Sequence, residues 1–238
     1  MPRTGRGETA GVCCHVLNRG NGRQTVFHDE ADYEGFTELM GLACRRTPMR
    51  VLAWCLMPNH FHMVLCPRDA GDLARWMQWL MTSHVRRYHH RYRGSGHVWQ
   101  GRYKSFPLER RQPSRAERAV GVIETAGPLW TVQRYVERNP LRAKLVSRAE
   151  DWVWSSLRCS TALADAPNWV DRSWLERPAD WLAAVNTPQS AEDLAAVRQS
   201  IIRGRPMGSE GWVRRVAVAL GLESSLRPRG RPRKKPKK

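Results

Sequence analysis

The stretch from Ala53 to Leu65 (AWCLMPNHFHMVL) leaves this chain few folds to choose from. Its apolar runs read as two strands, and Met57-Pro58-Asn59 reads as the turn that joins them. Side chains alternate faces along a strand, so His60 and His62 project to one side while Phe61 and Met63 enter a core. Two imidazoles about 7 Å apart on one face can close on a single divalent ion, given a third ligand from elsewhere.

The flanking residues place that hairpin in a larger plan. Residues 11–18 predict a first strand, ended by Arg19-Gly20-Asn21-Gly22, and residues 49–56 and 60–66 predict the hairpin strands. Asp29 to Arg45 reads as a helix, with Tyr33, Phe36, Leu39, Met40 and Ala43 at helical spacing. A second helix carries Leu73, Trp76, Met77, Leu80, Met81, His84, Val85 and Tyr88 on one stripe, opposite Arg75, Gln78, Arg86, Arg87 and Arg91. A short strand near Tyr103–Leu108 follows. The order β-α-β-β-α-β is that of an α+β, ferredoxin-like (RRM-like) palm. Such an antiparallel sheet carries helices on one face, and the face that bears His60 and His62 is expected to be open.

Beyond the palm, Ser114-Arg115-Ala116-Glu117 has a capping-box pattern and predicts a helix to Glu124. Ala126-Gly127-Pro128 breaks it, and another helix is expected from Leu129 to Asn139, with Pro140 disfavouring continuation. From Trp152 onward the chain is Trp-rich and less regular, with a later helix over Gly211–Leu220. Three regions result: residues 1–157, a partly helical extension over 158–226, and a basic tail over 227–238.

Charge limits the partners. Forty Lys and Arg against 22 Asp and Glu give a net charge of +18 over 238 residues, which points to a polyanion, with nucleic acid the default. No apolar run approaches the ~20 residues that span a bilayer. The Met1-Pro2-Arg3 start lacks an apolar segment, so a cytoplasmic, nucleoid-associated protein is expected, acting on neither membrane nor small molecule. The six cysteines (13, 14, 44, 55, 66, 159) show no CxxC spacing and read as reduced, buried thiols.

Chemistry gathers around Tyr135. Tyr135 and Asn139 are four apart, so on a helix they face one way. Turned toward the sheet, Asn139 offers an amide oxygen as third metal ligand and Tyr135 sets a phenol beside whatever the metal holds. Two imidazoles and an amide oxygen with open positions suit Mg²⁺ or Mn²⁺. A phenol, with a pKa near 10, is both a fair nucleophile and a good leaving group. Strand transfer needs that reversibility, whereas hydrolysis does not.

Four segments together, CLMPNHFHMVL, GHVWQGRYKSFPLE, LWTVQRYVERNPLRAKLV and WVWSSLR, resemble the REP-associated tyrosine transposases, which are single-tyrosine HUH transposases. The resemblance runs from about Val12 to Leu157, and RGRPMGSEGWVRRVAVALGL is similar to the C-terminal extension of some members. It implies an HUH endonuclease fold, with His60 and His62 as metal ligands, Tyr135 as nucleophile and Asn139 as the metal-binding residue one turn on. It also implies cleavage of single-stranded DNA near palindromic hairpins, leaving a 5′-phosphotyrosine and a free 3′-OH. One departure stands out: about twenty residues, 109–128, replace a short connector and bear on how Tyr135 docks.

Candidate DNA contacts are Arg102, Lys104, Arg138 and Arg142, beside Trp99 and Gln100, whose basic-aromatic mixture suits single strands. The last twelve residues carry eight basic side chains, three prolines and no acid, so they are expected to stay unfolded until bound. Within them Arg229-Gly230-Arg231-Pro232-Arg233 resembles an AT-hook core for a narrow minor groove, and Arg203-Gly204-Arg205-Pro206 repeats its first four residues. Two other readings stay open: a non-catalytic regulator that binds hairpins, and a relaxase or replication initiator with the same chemistry. Monomer and homodimer are both compatible with the sequence.

Overall fold

The computed structural model describes residues 10–110, 127–160, 169 and 177–227. The helix expected at 114–124, most of the 109–128 insertion, and Arg229, Arg231 and Arg233 lie outside these residues.

The palm follows the order read from the sequence. Strands β1 (Cys13–Arg19), β2 (Met49–Met57), β3 (His60–Pro67) and β4 (Lys104–Leu108) alternate with helices α1 (Glu30–Arg46) and α2 (Asp72–Tyr92). The sheet order is β2-β3-β1-β4 and every pair is antiparallel, which is the ferredoxin-like arrangement. Helix α1 starts at Asp29, whose side chain accepts from the Asp32 amide. The alternation of β3 sends Phe61, Met63 and Leu65 into a core with Phe36, Met40, Trp76 and Leu80 from α1 and α2.

The hairpin turn is narrower than expected. Met57 pairs with His60, so Pro58 and Asn59 alone form the turn. The 20–27 loop holds it there. Pro58 accepts from the amides of Val26 (2.8 Å) and Phe27 (3.0 Å), and the Asn59 carbonyl accepts from Gly20 (2.8 Å). These bonds fix the start of β3, and with it His60.

The second sheet face is not open. Helix α3 (Gly127–Glu137) lays Leu129, Val132, Tyr135 and Val136 against Ala53, Cys55, Met57 and Val64. A longer helix from the C-terminal extension (Ala191–Arg203) adds Leu194, Val197 and Ile201. The reason is apolar area: on this face the strands present Ala, Cys, Met, Val and Leu, which need cover. A bulge between Val51 and Ala53 adds to it by turning both Leu52 and Ala53 to this side.

Both sheet edges are also covered. Trp154 accepts from the Leu56 amide (2.9 Å) and the Ser156 hydroxyl from the Trp54 amide (2.9 Å), so the WVWSSLR segment sheathes β2. Met207 bridges Leu108 at the β4 edge. Exposed edges invite pairing with other chains, and these contacts remove them.

Among the described residues, the extension and its approach carry α5 (Ser156–Ser160), α6 (Trp181–Asn186), α7 (Ala191–Arg203) and α8 (Glu210–Ala219), with α4 (Asn139–Arg142) just after α3. Only α8 matches a helix read from the sequence. Five cysteines, 13, 14, 44, 55 and 66, are free thiols among the described residues.

Candidate catalytic cleft

The two histidines sit where β3 begins, and each has one ring nitrogen engaged. His60 Nδ1 lies 2.6 Å from Asn59 Oδ1, and His62 Nδ1 lies 2.9 Å from His15 Nε2. With Nδ1 donating in both cases, the Nε2 lone pairs of His60 and His62 stay available to a metal, the tautomer such ligands use. Their ring centroids are 5.1 Å apart. Burial drives the His60 imidazole down to about 4, aided by Arg19 and Arg142. Burial also holds His62 well below its ordinary value, with His15 and His60 adding to the effect. Both rings are therefore neutral at neutral pH, as ligands must be.

Tyr135 arrives from the covering helix. Its ring centroid is 5.6 Å from that of His62 and 6.0 Å from that of His15. Pro140 does not end the local helical path. It stands at the start of α4, where its missing N–H leaves no bond unmade, and Arg142 and Ala143 still donate to the carbonyls of Arg138 and Asn139 (both 2.9 Å). Tyr135, Asn139 and Arg142 thus follow one helical face. The Arg142 guanidinium lies 4.1 Å above the Tyr135 ring and donates to Asn139 Oδ1 at 2.9 Å.

These residues open onto a cleft of about 620 Å³. Its cations are Arg19, Arg102, Lys104, Arg142 and Arg198, and among the described residues no carboxylate lines it. Arg138 does not join them. Its guanidinium donates to the carbonyls of Val185 (2.8 Å) and Asn186 at the end of α6. Arg203 and Arg205 flank Gly204 at the end of α7, outside the cleft lining. Arg19 and Arg198 were not singled out in the sequence. Arg198 carried no signal because α7 was not recognised, and Arg19 looked like the close of a strand.

The donor set fits a hard divalent ion only with help from oxygen. Among the described residues no three His, Cys, Asp or Glu side chains are arranged to hold a metal ion by themselves. Two neutral imidazoles with the buried Asn139 amide beside them therefore need that amide, or substrate oxygen, to complete a coordination sphere. Asn139 Oδ1 already accepts from Arg142, and a carbonyl oxygen has a second lone pair.

Residues 9–118 match the family model described as IS200-like transposase. Over this part, less than half of its length, the chain is similar to that family. The transposase match takes in both cleft histidines and ends before Tyr135. Among solved structures, a REP-associated tyrosine transposase bound to a REP hairpin is similar at 18% identity, over 74% of this chain and 98% of that one, with a TM-score of 0.49. A candidate transposase from Deinococcus radiodurans R1 is similar at 19% identity, over 53% and 98% of the two chains, with a TM-score of 0.34. No curated protein matches the sequence. No helix among the described residues is long and apolar enough to cross a membrane.

Proposed function

We propose that this protein is a REP-associated-type tyrosine transposase that cleaves and rejoins single-stranded DNA near palindromic hairpins. Tyr135 is the nucleophile, and His60, His62 and Asn139 hold a Mg²⁺ or Mn²⁺ ion. The observation that carries the reading is the meeting of a phenol with two neutral imidazoles in a cleft whose described lining has five cations and no acid.

In the first step the Tyr135 oxygen attacks phosphorus, the P–O3′ bond breaks, and the 3′ oxygen takes up a proton. A 5′-phosphotyrosine and a free 3′-OH result. In the reverse sense a 3′-OH attacks and the phenolate leaves, so bond energy is conserved for joining. Arg142, stacked on the ring, favours negative charge on the phenolate in both directions. Arg19, Arg102, Lys104 and Arg198 hold the backbone on either side of the scissile phosphate. The bound ion would polarise the phosphodiester, an effect worth several kcal/mol. The tail, with Arg229, Arg231 and Arg233, anchors flanking duplex, with Arg203 and Arg205 as a second such segment.

The test is a denaturing gel with labelled hairpin DNA and Mn²⁺. The wild type should give a covalent protein–DNA band and Tyr135→Phe should lose it while still binding DNA. A band that survives in Tyr135→Phe removes Tyr135 from the role. Hairpin binding with no band in the wild type marks a non-catalytic regulator instead.

A further inference from the structure

Around the sheet from the cleft, helix α2 is flanked by two further hollows. One, of about 680 Å³, lies between α2 and the 96–103 loop, and the other, of about 830 Å³, lies between α2 and Arg46–Pro48. They are not separate from the cleft or from each other. Arg102 lines both the cleft and the first hollow, and Gln78, Thr82 and Arg86 line both hollows. We propose that this belt is a second binding surface, over which single-stranded DNA leaving the cleft continues past Arg102, across α2, to Arg46.

Charge favours this side of α2 in particular. On the side toward α1, Arg87 is paired with Glu38 (2.8 Å), and Arg91 with Asp29 (2.6 Å) and Asp32 (2.9 Å). Those arginines are matched within the fold. Arg46, Arg86 and Arg102 are exposed and form no ion pair with a described carboxylate. The one acid on the belt is Asp72, already engaged by Arg75 (2.6 Å) and the Asp69 amide (2.9 Å). A polyanion gains from such unmatched charge.

The lining selects single strands over duplex. Met81 and Val85 stand half-buried in the first hollow, over a floor of the buried core residues Met77, Trp99 and Tyr103, and Trp79 stands half-buried in the second. Unstacked bases present flat apolar faces to such surfaces, whereas paired bases keep theirs inside the helix. The proposal deepens the DNA strand-transfer reading and rests on it for the nature of the ligand.

The experiment compares a fluorescent DNA hairpin with the same hairpin carrying an oligothymidine extension of about 16 nucleotides, the upper end of what one single-strand-binding fold covers. The extension is tried on either end. The wild type should bind the extended probe about tenfold more tightly, the effect of one well-stacked base. Arg46→Glu with Arg86→Glu should abolish that gain and lower the salt slope by about 1.4, at 0.7 per phosphate contact. It should leave the affinity for the bare hairpin and the covalent band unchanged. Arg214→Glu with Arg215→Glu, an equal change of charge on α8, should keep the gain. No gain in the wild type, a gain intact in the Arg46/Arg86 variant, or an equal loss in the α8 variant overturns the proposal. A missing covalent band with the extension effect preserved counts against Tyr135 as nucleophile and leaves the surface standing.

Discussion

His15, on β1, stands directly behind His62, with its Nε2 2.9 Å from His62 Nδ1. In the proposed metal site it would orient His62. With His15 Nε2 accepting from the Nδ1–H of His62, Nε2 of His62 is left free for the cleft, and such supporting contacts are commonly worth 10- to 100-fold in metal affinity. His15→Ala should therefore weaken Mn²⁺ binding by about that factor in a calorimetric titration, whereas His62→Ala should abolish it.

Burial of neutral histidines also has a pH signature. Burial lowers His15 to about 3 and His84 to about 4, so the unfolded chain, with values near 6.5, takes up protons first as pH falls. Stability is full above about pH 6.5 and declines from there toward pH 4. For His84 the fall from 6.5 to about 4 corresponds to an upper bound of roughly 3 kcal/mol. Urea midpoints should fall steadily over that window, and a flat profile would refute the depressed values.

At the scale of elements, the helix that carries Tyr135 is gripped on both sides. Its apolar side rests on the sheet. On its other side Glu137, fully buried, accepts from Ser156 Oγ, from Arg177 (2.7 Å) and from Trp181 Nε1 (2.8 Å). Arg134 donates to the carbonyls of Ala184 (2.7 Å), Thr187 (2.8 Å) and Pro188 (3.1 Å), satisfying groups at and beyond the end of α6. Gln133 reaches the Leu52 carbonyl at the bulge (3.4 Å). Arg134, Glu137 and Gln133 are thus each tied to partners distant in the chain. Removing one member of a buried charged network leaves the others uncompensated, so Glu137→Ala should cost about 3 to 5 kcal/mol by chemical denaturation. Glu137→Gln, which keeps some of the hydrogen bonds, should cost less.

The whole molecule is closed by its extension. Leu194, Val197, Ile201 and Met207 pack on the same sheet face as α3. A chain ended at Leu157 would expose that face and is expected to aggregate or to lose cooperative unfolding by calorimetry. The tail tests differently. Deleting residues 228–238 should leave the covalent band unchanged while reducing the salt slope of duplex binding by roughly 5, at about 0.9 per phosphate contact. An unchanged slope would rule the tail out as an anchor.

The local rules were enough for the palm and for the pairing of its key groups. A period of two placed His60 and His62 together, and a period of 3.6 placed Tyr135 with Asn139, because each depends only on neighbours within a turn or two. They failed where the partner is remote. Nothing near Arg142 shows that it lies over Tyr135, since that needs a helical path carried past Pro140. Arg138 looked like a DNA contact because its surroundings are basic, yet its partners are carbonyls some 47 and 48 residues away. The sequence by itself determined which elements form and which faces they offer. Only the tertiary structure decided what covers the histidine face, because burying apolar area between segments far apart in the chain is a property of the assembled whole.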